Sequence, residues 1–264
     1  MKKIIALVLS VLMLVGCLAA CESAAKAPTL EDVKKAGKLT IATSPDFPPF
    51  EELQADGSVT GIEIEILELI CEKMGVELEI KQMNFDSVLP GIQAGKYNAG
   101  VSGISVTPER EKNVKFTVPY CLAAQAIVVV EGSEITGKAD LTGKKISVQS
   151  GTTAEAFCLK NEYEVSAFAA NTDAQTALVQ GKVKAWVIDD LTAAEMVATY
   201  NAENETKLVI LDEAMTTEPY AFAFHKDSKD LVDEVNKILK GLVDDGTVEK
   251  IFAKYGAPYT SPNN

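Results

Sequence analysis

Gly100-Val-Ser-Gly-Ile-Ser-Val-Thr-Pro-Glu-Arg110 decides how the chain is read. The stretch follows Tyr97-Asn-Ala, which reads as the end of a buried strand. Ser102, Gly103 and Ser105 then offer small hydroxyls and backbone groups at a strand end. Thr107-Pro108 has the chemistry of an N-cap followed by the first helical position, where the fixed proline φ suits a helix start. Arg110 follows within the same short turn. A guanidinium beside hydroxyls and free N–H groups can hold a carboxylate with two parallel charge-assisted bonds. Taken alone, the same residues also fit a surface turn whose arginine pairs with a neighbouring acid.

Outward from this stretch the chain alternates strand and helix patterns. Lys38–Thr43, Val76–Met83, Ala123–Val130, Ile146–Gln149, Ala185–Ile188, Leu208–Leu211 and Tyr220–Phe224 read as strands. Between them, Gly61–Met74 places Ile62, Ile66, Leu69, Ile70 and Met74 on one helical face, and Gly75 ends it. Glu63 to Glu72 reads as the solvated face of that helix. Further helices are expected over Thr29–Ala36, Phe85–Ala94, Thr172–Val179, Thr192–Tyr200 and, in two pieces broken at Asp244-Asp-Gly246, Leu231–Tyr255. Thr152 and Glu155 are spaced as a capping box. This alternation predicts an α/β chain with largely parallel sheets.

Composition sets the limits. The 264 residues are 47% hydrophobic, enough for a core, and carry a net charge of −13, which argues against a nucleic-acid partner. Lys2-Lys3 followed by the apolar run from Ile4 to Val15 reads as an export leader, too short to span a bilayer. Leu18-Ala-Ala-Cys21 resembles a lipoprotein box, with Leu14-Val-Gly-Cys17 as the alternative. Residues 1–20 are therefore expected as a lipoprotein signal peptide, Cys21 as the lipidation site, and 21–37 as a linker. Cys71, Cys121 and Cys158 are too few and too scattered for a disulfide framework, and one histidine, His225, excludes a histidine-built metal centre. No cofactor is expected.

Three polar clusters fall at predicted strand C-termini, where open α/β sheets bind ligands. They are Ser44–Phe50, Ser102–Arg110 and Gln149–Thr153, with Asp189 as a fourth point. Arg110 brings a positive charge, Asp189 a negative one, and the helix starts at Thr107 and Thr152 add N–H groups. Phe47 and Phe85 can supply flat apolar walls, or can serve as plain core. A zwitterion with an apolar stem fits this inventory.

In order, these elements resemble the bacterial extracellular solute-binding proteins, family 3, which serve polar amino-acid uptake. The resemblance runs over about residues 38–257. It rests on Ala42-Thr-Ser-Pro-Asp-Phe-Pro-Pro-Phe-Glu51, Gly61-Ile-Glu-Ile-Glu-Ile-Leu67, Phe85-Asp-Ser-Val-Leu-Pro-Gly-Ile92 and Gly103-Ile-Ser-Val-Thr-Pro-Glu-Arg-Glu-Lys112. Leu141-Thr-Gly-Lys-Lys-Ile146, Gly151-Thr-Thr-Ala-Glu155, Gly181–Asp189 and Val235–Ile251 continue it. The resemblance implies a two-lobe periplasmic-binding-protein-like (type II) fold, with two α/β lobes joined by two hinge strands. Lobe one would be 38–121 plus 218–264, lobe two 122–217, with crossings near Cys121–Gln125 and Glu218–Phe222.

By the same likeness Arg110 is the carboxylate-binding arginine, with Thr152 and Thr153 as further carboxylate contacts. Asp189 and the Gly103 carbonyl would meet the ammonium, and Ser105 matches the family's hydroxyl position five residues before the arginine. Phe47 and Phe85 would sandwich the stem, and Gln149 and Ser102 would line the side-chain pocket. Ser44 stands where binders of basic amino acids often carry an acid, which tilts the expected ligand toward a neutral or polar side chain. The implied protein is a monomeric, lipid-anchored, extracytoplasmic receptor that hands an amino acid to the permease of an ABC importer. It is not an enzyme. A dehydratase on the same scaffold would need a general acid in the cleft, for which only Asp189 and Asp190 are candidates, and a ligand-sensing ectodomain is the other rival.

Overall fold

The computed structural model describes residues 26–213 and 215–262, so the leader, Cys17 and Cys21 lie outside the described residues. Helix α1 (Leu30–Ala36) opens the described chain. Thr29 caps it, accepting from Asp32 N–H, and Gly37 closes it at φ 70°. Strand β1 (Lys38–Thr43) then pairs in parallel with β5 (Glu77–Gln82) and with β6 (Ala99–Gly100). Helix α2 (Ile62–Met74) packs Ile62, Ile66, Ile70 and Met74 inward, as its period predicts. Each such apolar side chain taken from water contributes roughly 1.5–3 kcal/mol.

Strands β15 (Ala223–His225) and β7 (Val114–Phe116) complete a first sheet ordered β5-β1-β6-β15-β7. The second sheet runs β11-β10-β12-β9-β13, from β9 (Gln125–Val130), β10 (Lys145–Gln149), β11 (Glu164–Phe168), β12 (Ala185–Asp189) and β13 (Leu208–Ile210). A ribbon of β8 (Cys121–Ala123) and β14 (Glu218–Tyr220) carries the chain between the sheets in both directions. The fold is thus two-lobed α/β.

The sheets are less parallel than expected. β15 runs antiparallel to β6 and β7, and β9 antiparallel to β12 and β13. Parallel neighbours need a long crossover. Strands β9 and β15 instead enter their sheets directly from the ribbon. Tyr220–Phe224 is also not one strand. Ala221 N–H donates to Ile104 O at 3.1 Å and Phe222 N–H to the Thr117 hydroxyl at 3.0 Å, which breaks the ladder between β14 and β15. The half-exposed strand β11 and the short sheet of β2 (Asp46–Phe47), β3 (Glu51–Leu53) and β4 (Val59–Thr60) escaped the sequence reading, since neither carries a long apolar alternation.

The glutamates expected to form one solvated face of α2 do not share a face. Glu68 and Glu72 are exposed, but Glu63 is 0% exposed. Its position in the first turn of α2 turns it toward Tyr120 and the Ser102–Gly103 turn.

Candidate functional site

Ten of the eleven expected ligand-contact residues line one narrow cavity between the two sheets. The first-sheet side supplies Phe47, Phe85, Ser102, Gly103, Ser105 and Arg110. The second-sheet side supplies Gln149, Thr152, Thr153 and Asp189. The cavity's free volume is about 10 Å³, room for about one water molecule, so the walls stand nearly in contact. Ser44 is the exception. Its hydroxyl donates to Asp46 at 2.8 Å and its N–H to the Ser102 hydroxyl at 3.1 Å, so it stands behind the cavity wall.

Arg110 is set by the turn the sequence predicts. Thr107 caps helix α4 (Pro108–Glu111), accepting from Arg110 N–H at 3.2 Å, with Pro108 at its start. The guanidinium donates to Ser105 O at 2.9 Å and, across the cleft, to Gly151 O at 3.1 Å. It lies 5.7 Å from the centre of the Phe85 ring. Burial lowers its pKa from the usual arginine value, while Glu218 and Asp189 work in the opposite direction.

Asp189 ends β12 and is 7% exposed. Gln125 Nε2 donates to its Oδ1 at 2.6 Å and to the Thr153 hydroxyl at 3.1 Å. Burial first, then the nearby Glu218, holds the Asp189 carboxyl well above the ordinary aspartate range. Tyr220 and Arg110 pull it the other way. Asp190 does different work. Its carboxylate accepts from Ala124 N–H at 3.2 Å and Leu191 N–H at 2.8 Å, leaving Asp189 to face the cavity.

Gly103 has φ +54°, and a Cβ there would lie 2.4 Å from Phe47 Cε1, so the phenyl ring rests directly on the backbone. The Thr152 hydroxyl caps helix α5 (Thr153–Lys160), accepting from Glu155 N–H at 3.1 Å and donating to Gln149 O at 2.7 Å. The expected capping box is shifted by one residue: the Glu155 carboxylate reaches Gly151 N–H at 2.7 Å. The Gln149 amide is already engaged, with Nε2 on Asp46 and on Ala169 O, and Oε1 accepting from Asn171 Nδ2 at 3.1 Å.

The sequence reading missed the residues behind this wall. Asp46 reaches from the small sheet to the second sheet, where its carboxylate accepts from Asn171 N–H at 2.7 Å and from Gln149 Nε2 at 3.1 Å. Gln125 and Tyr220, expected only as hinge positions, flank Asp189, and the Tyr220 hydroxyl is fully buried with no hydrogen bond of good geometry. Glu51 and Glu63 underlie Ser102 and Gly103. Among the described residues no group of three or more metal-ligating side chains is assembled.

A cation, an anion, two aromatic faces and small polar groups thus converge on one small space between two lobes. The arrangement can clasp a molecule charged at both ends. Comparison with known proteins places the chain. The sequence profile of the bacterial extracellular solute-binding proteins, family 3, matches residues 39–258. The chain is 30% identical over 221 residues to ABC transporter arginine-binding protein 1 of Escherichia coli (strain K12), covering 82% of this chain and 89% of that protein. Among solved structures, a mutant of ArgBP from T. maritima superposes with a TM-score of 0.81 at 34% identity, covering 86% of this chain and 98% of that one. An ancestral amino acid-binding protein, described as a precursor of cyclohexadienyl dehydratase, gives 0.78 at 32% identity over 86% and 98%. These relatives are binding proteins by their descriptions. The chain belongs to the bacterial extracellular solute-binding proteins, family 3.

Proposed function

We propose that this chain is a lipid-anchored extracytoplasmic receptor that closes on one free amino acid and delivers it to the permease of an ABC importer. The single observation that carries this reading is that Arg110, on helix α4 beside the first sheet, and Asp189, at the end of β12 in the second, line one cavity together with Phe47 and Phe85. The ligand carboxylate takes the guanidinium of Arg110 with the backbone at Thr152 and Thr153. The ammonium takes Asp189, the Gly103 carbonyl and the Ser105 hydroxyl, and the stem lies between the rings. The proposed lobes are 38–121 plus 218–264 and 122–217, hinged at the ribbon of β8 and β14. Only the closed arrangement brings both charges onto one molecule, so the ligand favours closure by its differential contacts.

Among the described residues Asp189 is the one carboxylate lining the cavity, and the lining beside Gln149 is neutral, which favours a ligand with a neutral or polar side chain over a basic one. The nearby carboxylate of Asp46 supports this, because it is already satisfied by Ser44, Gln149 and Asn171. Cys21 is the proposed acylation site and a monomer the proposed working form. A thermal-shift screen of the common amino acids, followed by calorimetry, tests the proposal. One amino acid or a narrow group should raise the melting temperature and bind one to one. No shift with any of them would refute it. Mass spectrometry of the mature N-terminus should find a diacylglyceryl-modified Cys21; an unmodified start would remove the anchor.

A further inference from the structure

Two carboxyl groups lie fully buried beneath the cavity floor. Glu51, the last residue of the Pro-Pro-Phe-Glu run, and Glu63, in the first turn of α2, are each 0% exposed. Glu63 accepts on both oxygens: Oε2 from Gly103 N–H at 2.9 Å and Oε1 from the Tyr120 hydroxyl at 2.6 Å. The second distance is that of an O–H bonded to an ionised oxygen. Glu51 accepts on Oε1 from the Ser102 hydroxyl at 2.7 Å, while no donor reaches its buried Oε2. The Glu51 carboxyl also meets that of Glu63, and two ionised carboxylates in contact cannot bond to each other. A proton on Glu51 Oε2 turns the contact into an O–H···O bond and removes the orphaned atom.

We infer that Glu51 and Glu63 form a one-proton pair, Glu51 neutral and Glu63 charged, and that this pair positions the Ser102–Gly103 turn against which the ligand is held. The positioning half rests on the amino-acid-binding reading proposed above. Both carboxyls are held above the ordinary glutamate range, chiefly by burial, and Glu51 also feels Glu63 and Asp46. The pair acts through Gly103, whose N–H is fixed by Glu63 while the Phe47 ring covers its α-carbon. Neither carboxyl lines the cavity.

The protonation assignment makes the two members unequal, and that inequality is the test. Glutamine mimics a neutral carboxyl, so Glu51→Gln keeps the affinity of the wild-type chain within about threefold. Glu63→Gln replaces an oxygen that must accept with an amide that donates. It weakens binding at least about tenfold, or 1.4 kcal/mol. Calorimetry with L-arginine and L-glutamine as probes reads both. In the ligand-free chain, the infrared carbonyl band of a protonated carboxyl falls by one group in Glu51→Gln at neutral pH. Equal losses of affinity in the two variants would overturn the inference, as would an unchanged band in Glu51→Gln. A wild-type chain that binds no amino acid refutes the functional reading and with it the positioning role. The infrared measurement still judges the shared proton by itself.

Discussion

The cavity rim from Ser102 to Arg110 rests on buried side chains, whereas the rim from Gln149 to Thr153 rests on backbone groups and a helix cap. Under the first lie Glu51, Glu63 and Tyr120, each fully buried, with Phe47 stacked on Phe50 at 5.7 Å and Phe50 edge-on to Tyr220 at 5.2 Å. Under the second, Thr152 and Glu155 satisfy Gln149 O and Gly151 N–H at the surface of the second sheet. Among the described residues a few polar bonds cross the cleft, from Arg110 to Gly151 between the rims and from Asp46 to Gln149 and Asn171 beside them. Such bonds can exchange with water when the lobes part, at a net cost of roughly 1–3 kcal/mol each. The first rim is therefore a platform that belongs to the core, and the second is a face that can be docked and released. Substitutions beneath the first should move binding and stability together, and those at the second should move binding alone.

The largest effect expected is from Arg110→Ala. It removes the one cavity cation and leaves a buried ligand carboxylate unpaired, for a loss of about a hundredfold or more in affinity. Calorimetry reads the loss, and a melting temperature changed by less than a few degrees would place Arg110 with the cavity and not the core. Asp189→Asn should lower affinity at least about tenfold yet stabilise the ligand-free chain at neutral pH. The sign follows from its raised pKa. The folded state holds more protons than the unfolded one between the ordinary aspartate value and the raised one, so stability falls as pH rises through that window. Thermal melts of wild type and Asp189→Asn from about pH 5 to 8 should therefore diverge as pH increases. Parallel curves would mean that Asp189 is ionised without a penalty.

Gly103→Ala tests the platform. At φ +54° with Phe47 Cε1 2.4 Å from the new methyl group, it should destabilise the chain by about 1–3 kcal/mol and weaken binding as well. A loss of affinity with an unchanged melting temperature would break the distinction between the rims. The smallest effect is expected from Asp46→Asn, which weakens the ties to Asn171 and Gln149. It should reduce affinity by a factor of about three to ten, equally for every ligand that binds, because the lost bonds join protein to protein. A ligand-dependent loss would instead give Asp46 a direct role in recognition.

The sequence made legible what is local. Thr29, Thr107 and Thr152 cap the helices that their spacing predicts, and the strand read over Ala185–Ile188 is buried core. The convergence of Arg110 with Asp189 came through family likeness, since 79 residues of sequence separate the two and nothing local couples them. What satisfies Glu63 was illegible because its partners, Gly103 and Tyr120, are 40 and 57 residues away. On a helix wheel Glu63 falls among Ile66, Ile70 and Met74, opposite Glu65, Glu68 and Glu72, so its inward direction was legible and its partners were not. Asp46 was hidden in the same way, within a proline-rich loop, with a partner 125 residues distant. Ser44 was read as facing the ligand, but the hydroxyls and carboxylate around it draw it behind the wall.

Cys71, Cys121 and Cys158 are all buried and unpaired, and burial pushes the thiols of Cys71 and Cys158 up to about 11 and about 12, respectively. Thiolate is the form that reacts with maleimides and spin labels, and these side chains offer almost none of it at neutral pH. Among the described residues, a pair of cysteines introduced on the two lobes would thus take up the probes without first stripping the native ones. The gap between the halves could then be followed directly, molecule by molecule, as solute is added.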